Sequence, residues 1–304
     1  MNLPIPDVRV GEPQMCGAVA VFPLFTGLPL FHGNSSDYIL ASEAMAAGTL
    51  TIQEVSEEGS VGNLLAENIG DQPVFILEGE EVKGAKQNRV LASSLLVAGG
   101  SRIRIPVCCV QRGRWGYSSS RQFSSGSCCP STIRRILKQG DGTTPGRYGR
   151  QEAVWQEIRR KHRATATCSE GENMSDTLEV HREAVENLRR KLRYPEGASG
   201  IAVTIGGKII GIDLFDQPLT LAKLWDRLLE GIALDALESC DTERQPDENS
   251  VSVKLYKAKI MRWQKMLPVV GLGGAYRARD NDDTLATALV LNNSIVHLSM
   301  SMPT

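Results

Sequence analysis

Residues 78–91 read EGEEVKGAKQNRVL and stand between two apolar runs, 74–77 and 90–97, that have the composition of strands. A turn between strands needs only glycine and one or two small polar residues. This one carries Glu78, Glu80, Glu81, Lys83, Lys86, Gln87, Asn88 and Arg89. The last four are multi-donor or forked groups suited to phosphate, carboxylate or amide recognition. The stretch is expected to be a binding or catalytic lip on a rigid sheet, where loops commonly hold function. Its strand-like flanks mark this part of the chain as β.

Working outward, 16–25 (CGAVAVFPLF) reads as a first strand broken by Pro23. Asp37 is placed to cap a short helix over 38–47 that ends at Gly48. TLTIQEV at 49–55 alternates as a half-buried strand. Further short strands over 61–69, 74–77, 89–97 and 102–111 suggest a twisted antiparallel sheet or sandwich. Residues 112–150 are rich in Ser, Gly and Arg and predict a long basic loop with one short helix at 131–138 capped by Ser131. Helices are predicted over 151–162 and 176–192, the second stopped by Pro195 and Gly197. GIAVTIGGKIIGIDL at 200–214 is a hairpin with GG at its turn. An amphipathic helix at 220–237, a polar connector at 240–250 and a helix at 253–267 precede closing strands at 269–277, 284–291 and 295–300. The fold class is α+β. Residues 1–111 form a mainly β portion, 112–198 a basic loop and helical insertion, and 199–304 an α+β portion completing the same fold, read as one compact domain.

The chain has 304 residues, 41% hydrophobic and 23% charged, with a formal net charge of -1. That balance is ordinary for a globular protein. It hides a skew. The span 102–163 holds fourteen Lys/Arg against three acids, a local excess of +11, so the remainder is near −12. The N-terminus MNLPIPDVRVGEP lacks a basic region followed by an apolar core, and no apolar stretch reaches the roughly 20 residues of a membrane span. Seven cysteines, an odd number in a long chain, favour free thiols and a reducing cytoplasm. No membrane association is expected.

Glu78 and Glu80 alternate along an extended segment and are expected to share a face, with Glu81 pointing away. Such carboxylates suit acid–base work or a divalent cation, and Glu80 or Glu81 is the candidate general base. Lys86 and Arg89 suit a phosphate clamp, with Gln87 and Asn88 reading an amide or sugar hydroxyl. The plainer alternative is a solvated hairpin whose charges pair locally. Cys108–Cys109 and Cys128–Cys129 lack the Cys-x2–4-Cys spacing of a structural zinc site, so no metal is assigned. Cys109 is a candidate thiol nucleophile if Arg112 and Arg114 stabilise its thiolate; buried apolar cysteine is the commoner outcome. Arg112, Arg114 and Trp115 follow a strand end, where two guanidinium groups and an indole can grip phosphates and stack a ring, or where Trp115 can anchor the loop. The basic span 102–163 suits nucleic-acid phosphates, or pairing with the acidic remainder within the chain or between subunits. His297 in SIVHLS reads as a hydrogen-bonded core histidine, and His162 and His181 as exposed. Asp213 and Asp216 are a weak carboxylate pair. GLGGAYR at 271–277 lacks the following helix of a dinucleotide fingerprint. No cofactor is specified.

EGEEVKGAKQNRVL, IPVCCVQRGRW at 105–115, QEAVWQEI at 151–158, SGIAVTIGGKIIGIDLFD at 199–216 and SIVHLSM at 294–300 together resemble the ADP-ribosylglycohydrolase-and-rhodanese-phosphatase-superfamily-associated protein domain, a prokaryotic family. The resemblance spans most of the chain, and GAKQNR (84–89) and CVQRGRW (109–115) are its most specific pieces. It implies no activity by itself. Its name hints at phosphate-bearing ligands derived from nucleotides, such as ADP-ribose or NAD. The family pattern places an acid where this chain has Gln111, so no acid–base role is implied there. Two readings follow. One is a protein that binds or processes an anionic, nucleotide-type small molecule through the lip and the adjacent Arg-Trp segment. The other is a non-catalytic binding or assembly module, a homo-oligomer in this reading, that docks a partner or nucleic acid through 102–163.

Overall fold

Gly206 and Gly207 both have positive φ, 56° and 72°. That backbone matches the right-handed twist of a hairpin, and it joins strands Gly200–Ile205 and Lys208–Phe215. The molecule, a computed structural model, is described for residues 1–27, 38–117, 121–139, 144–239 and 247–303, with backbone alone over 144–148. Asp37, the expected cap, lies outside the described residues. Among those described, the chain is α+β with antiparallel pairing throughout, except for Ile39–Leu40 against Val74–Ile76.

The chain divides into two compact units. The first comprises Met1–Ser35, Arg182–Leu267 and Gly273–Thr304; the second comprises Ser36–His181 and Pro268–Leu272. The portions read from the sequence, 1–111, 112–198 and 199–304, run across these bounds.

In the first unit the hairpin lies at the middle of a nine-stranded sheet. Val8–Val10, Val19–Thr26 and Gly200–Ile205 lie on one side of Lys208–Phe215, and Ser294–Ser301, Leu285–Leu291, Gly274–Arg279 and Gln264–Lys265 on the other. Gln14–Cys16 pairs with Val19–Thr26 off this path. Pro23 does not break its strand: it lies opposite Ile201, and its carbonyl accepts a hydrogen bond from the Gly11 amide at 2.8 Å. One sheet face carries Phe22, Leu24, Ile212, Leu214, Leu298 and Met300 into a core closed by Val251, Leu255 and Trp263. Burying each such side chain contributes about 1.5–3 kcal/mol. The Glu248–Ile260 helix starts earlier than its periodicity predicts because Asp247 accepts hydrogen bonds from Asn249 N and Ser250 N, at 3.0 and 3.2 Å. His297 is the core histidine expected: it hydrogen-bonds Asp213 at 3.0 Å and stacks on Phe215 at 4.7 Å. Asp213 is thereby engaged with the imidazole.

The second unit holds a six-stranded sheet in the order Phe123–Cys128, Glu80–Gly84, Arg89–Leu91, Ser101–Cys109, Asn63–Asn68, Leu50–Glu54, and a three-stranded sheet of Leu95–Val97, Val74–Ile76 and Ile39–Leu40. Phe123–Cys128 is a strand inside what composition marked as loop. Its partner Glu80–Gly84 supplies the backbone groups that its own small polar side chains do not advertise. The Ser131–Lys138 helix is found, although its cap is Pro130. The helix predicted over 176–192 is two, Met174–Val180 and Arg182–Lys191.

Candidate functional site

The 78–91 stretch is neither an exposed lip nor a solvated hairpin. Glu78, Glu80, Glu81, Gln87, Asn88 and Arg89 are all buried. Burying charge is costly unless each group is paired and hydrogen-bonded, and most of these groups are. Glu78 lies in a turn before the strand, where its carboxylate pairs with Lys138 and stands 3.7 Å from Arg134. Glu80 accepts from Leu77 N at 3.2 Å and from Ser125 Oγ at 3.4 Å. Glu81 accepts from Ser127 Oγ at 2.9 Å and Ser175 Oγ at 2.7 Å, and lies 3.6 Å from Lys83. The turn at Glu78 defeats the alternation argument, and the three carboxylates go to separate partners. Among the described residues no cluster of His, Cys, Asp or Glu could hold a metal ion. Glu80 and Glu81 are buried groups hydrogen-bonded to backbone and serine donors.

The 84–88 turn is held from outside. Gly84 has φ 126° and Ala85 φ 40°, a strained region for a residue with a Cβ. The Arg114 guanidinium donates to Ala85 O at 2.6 Å, Gly84 O at 3.2 Å, Gly116 O at 3.1 Å, Asn88 Oδ1 at 3.3 Å and Gln111 Oε1 at 3.0 Å. Burial, then repulsion from Arg89, lowers its pKa, against the pull of Glu54. Its donors are committed to the turn, so the expected phosphate clamp at Arg114 is corrected to a turn-holding role. Asn88 is likewise committed: Oδ1 accepts from Gly84 N at 3.1 Å and Nδ2 donates to Asn173 Oδ1 at 3.2 Å. Gln87 donates to Arg112 O at 3.4 Å and accepts from Arg89 Nη1 at 2.8 Å. Arg112 turns elsewhere, 3.6 Å from Glu172 and over the Trp155 ring.

What does converge is Lys86, Arg89, Trp115 and a residue the sequence reading missed, Glu54. Trp115 is 48% exposed. Lys86 Nζ lies 5.6 Å and Arg89 Cζ 5.4 Å from its ring centroid, within cation–π range. Lys86 Nζ also stands 5.2 Å from the Tyr117 ring, and Arg121 caps that ring while pairing with Glu57. Gly59, at φ 78°, lets these groups pack against its backbone with no room for a side chain. A Cβ there would meet Lys86 Cδ at 3.1 Å, Glu54 Oε2 at 3.2 Å and Trp115 Cζ2 at 3.3 Å. The signal for Glu54 was present: Leu50, Ile52 and Glu54 alternate inward, so the strand ends with a carboxylate on its buried face.

Cys109 is fully buried. Burial pushes its thiol up to about 12, although Arg89 pulls the other way. Arg112 and Arg114, expected to activate it, are occupied as described. Its backbone is clasped by Gln151, whose Oε1 accepts from Cys109 N at 2.8 Å and whose Nε2 donates to Cys109 O at 2.9 Å. Beside it a cavity of about 310 Å³ is lined by Val61, Asn63, Pro106, Cys108, Arg150 and others. His162, expected exposed, is buried. It hydrogen-bonds Asn173 O at 3.1 Å, and burial lowers its pKa.

The basic span is largely committed inside the second unit. Arg134, Arg135 and Lys138 are buried; Arg159 pairs with Glu152 and Glu172, and Arg160 with Glu157. No helix among the described residues is long and apolar enough to cross a membrane. No curated protein and no solved structure matches the chain. A family model, described as the ARG and Rhodanese-Phosphatase-superfamily-associated Protein domain, matches residues 7–301. The match takes in the buried 78–91 stretch, the Arg114 brace and the Trp115 cluster of the second unit as well as the nine-stranded sheet of the first, and the chain belongs to that family.

Proposed function

We propose that the protein binds a compact anionic ligand of nucleotide type, such as an ADP-ribose or NAD derivative, on the Trp115 face of the second unit. The observation that carries the reading is the approach of two cations, Lys86 and Arg89, to one half-exposed indole. An exposed aromatic face can stack a base, and a flanking ammonium neutralises phosphate. The family name refers to ARG and rhodanese-phosphatase superfamilies and names no ligand. The proposal is one of binding. Glu80, Glu81 and Cys109 enter it as interior groups, and Gln87, Asn88 and Arg114 as the brace that holds Lys86 and Arg89 in place.

Thermal-shift and calorimetric titration of the full chain with ADP-ribose, NAD, ADP and mononucleotides tests it. One ligand is expected to stabilise selectively. Trp115→Ala and Lys86→Ala, both at the surface side of the cluster, are expected to weaken it at least about tenfold, the scale of a cation–π or charge-assisted contact. A silent panel, or variants that bind as the parent does, removes the reading.

A second reading, docking of nucleic acid or a partner through 102–163, rests on the open depression of about 600 Å³ lined by Arg159, Arg160 and Arg163. Its test is salt-dependent association lost when these three become Ser.

A further inference from the structure

Glu54 and Arg89 form a buried ion pair that is not closed. Arg89 Nη2 and Glu54 Oε1 stand 3.7 Å apart, with side chains 0% and 3% exposed. Charge-assisted hydrogen bonds close to about 2.7–2.9 Å. Among the described residues both Glu54 oxygens, Arg89 Nε and Arg89 Nη2 have no hydrogen-bond partner. The remaining Arg89 nitrogen, Nη1, is taken by Gln87. Four buried, charged polar atoms are thus left open on two facing groups.

The chemistry of the gap selects its occupant. A carboxylate or a fully ionised phosphate offers no donor for Glu54. An ammonium offers no acceptor for Arg89. A hydroxyl does both, donating to the carboxylate while accepting from the guanidinium. Two open acceptors opposite two open donors match two adjacent hydroxyls. The Trp115 ring lies over Arg89, and its Cζ2 and Glu54 Oε2 both close on Gly59, where an added Cβ would stand 3.3 and 3.2 Å from them. The electron-rich face of an indole attracts the polarised C–H groups of a sugar ring. We infer that the Glu54–Arg89 pair beneath Trp115 is a subsite for the vicinal diol of a ribose-type sugar. This rests on the nucleotide-type reading above and names the part of the ligand that the buried pair reads. Lys86, on the same cluster and less buried, meets the phosphate. Entry to the buried pair needs the half-exposed Trp115 ring to move aside.

The test uses the full chain with ribose 5-phosphate, 2-deoxyribose 5-phosphate, inorganic phosphate and ribose, read by calorimetry and by tryptophan fluorescence. A site built to hydrogen-bond a hydroxyl strongly rejects the analogue lacking it. Ribose 5-phosphate is expected to bind at least about tenfold more tightly than its 2-deoxy analogue, and Glu54→Gln to bring that ratio near one. Circular dichroism checks that the variant is folded; the comparison on the parent chain needs no variant and decides alone if it is not. Equal binding of both sugar phosphates overturns the diol subsite and leaves the anion reading standing. A ratio that survives Glu54→Gln also overturns it. Binding of ribose, lost in Glu54→Gln, with no effect of any phosphate, upholds the subsite and removes the nucleotide reading. Silence of all four probes overturns both.

Discussion

Cys109 shows how a charge can stand beside a thiol without activating it. Arg89 attracts a thiolate there, yet the loss of solvation is larger, and the thiol is held up at about 12 from a usual 9.0. Between those values the folded chain keeps a proton that the unfolded chain has released. Stability from this group is therefore full below about pH 9 and falls as pH rises toward about 12. Denaturant melts across that window are expected to show the alkaline loss, and Cys109→Ser or Cys109→Ala to reduce its slope. Alkylation at neutral pH is expected to label the exposed Cys168 first and Cys109 only on unfolding, as mass spectrometry of iodoacetamide-treated protein will show.

The 84–88 turn is the element on which the candidate site depends. Ala85 has a left-handed φ, and Arg114 holds the turn with three hydrogen bonds, to Ala85 O, Gly84 O and Asn88 Oδ1. Lysine has the charge but not the planar fork. Arg114→Lys is expected to cost about 1–3 kcal/mol in denaturant melts and to change Trp115 fluorescence, since Gly116 is held by the same guanidinium. Elements of this kind explain what could be read from the chain. The GG hairpin and the alternating 49–55 strand were legible because their patterns are local. So was the grouping of Lys86 and Arg89 with Trp115, as two polar segments on neighbouring strands. Phe123–Cys128 was not, because its place is set by pairing with Glu80–Gly84 and its small side chains carry no period. Burial of Glu78, Glu80 and Glu81 was hidden for a related reason. Their partners, Lys138, Ser125, Ser127 and Ser175, lie 45 to 94 residues away, and no local rule joins them. Glu54 was legible in principle, as a charge on the inward side of a strand.

For the molecule as a whole, the +11 excess over 102–163 misstates what a polyanion would meet. Arg134, Arg135 and Lys138 are interior, and Arg112, Arg121, Arg159 and Arg160 have acidic partners. Binding of a labelled DNA duplex, followed by anisotropy, is expected to stay in the non-specific range, roughly 10⁻⁴–10⁻⁶ M at physiological salt. A tighter, sequence-dependent complex would favour the docking reading over the small-ligand one.

The two units also differ in when they can form. The sheet of the first pairs Val19–Thr26 with Gly200–Ile205, and reaches its last strand only at Ser294–Ser301. The second is continuous from 36 to 181 apart from the short return of Pro268–Leu272. During synthesis at about 5–20 residues per second, the middle of the chain is complete while the first unit's earliest strands still wait for partners not yet made. Those early segments, with Phe22 and Leu24 uncovered, are the natural place for a chaperone to hold the nascent chain. A released chain truncated shortly after residue 181 is expected to carry a protease-resistant middle and a cleavable beginning.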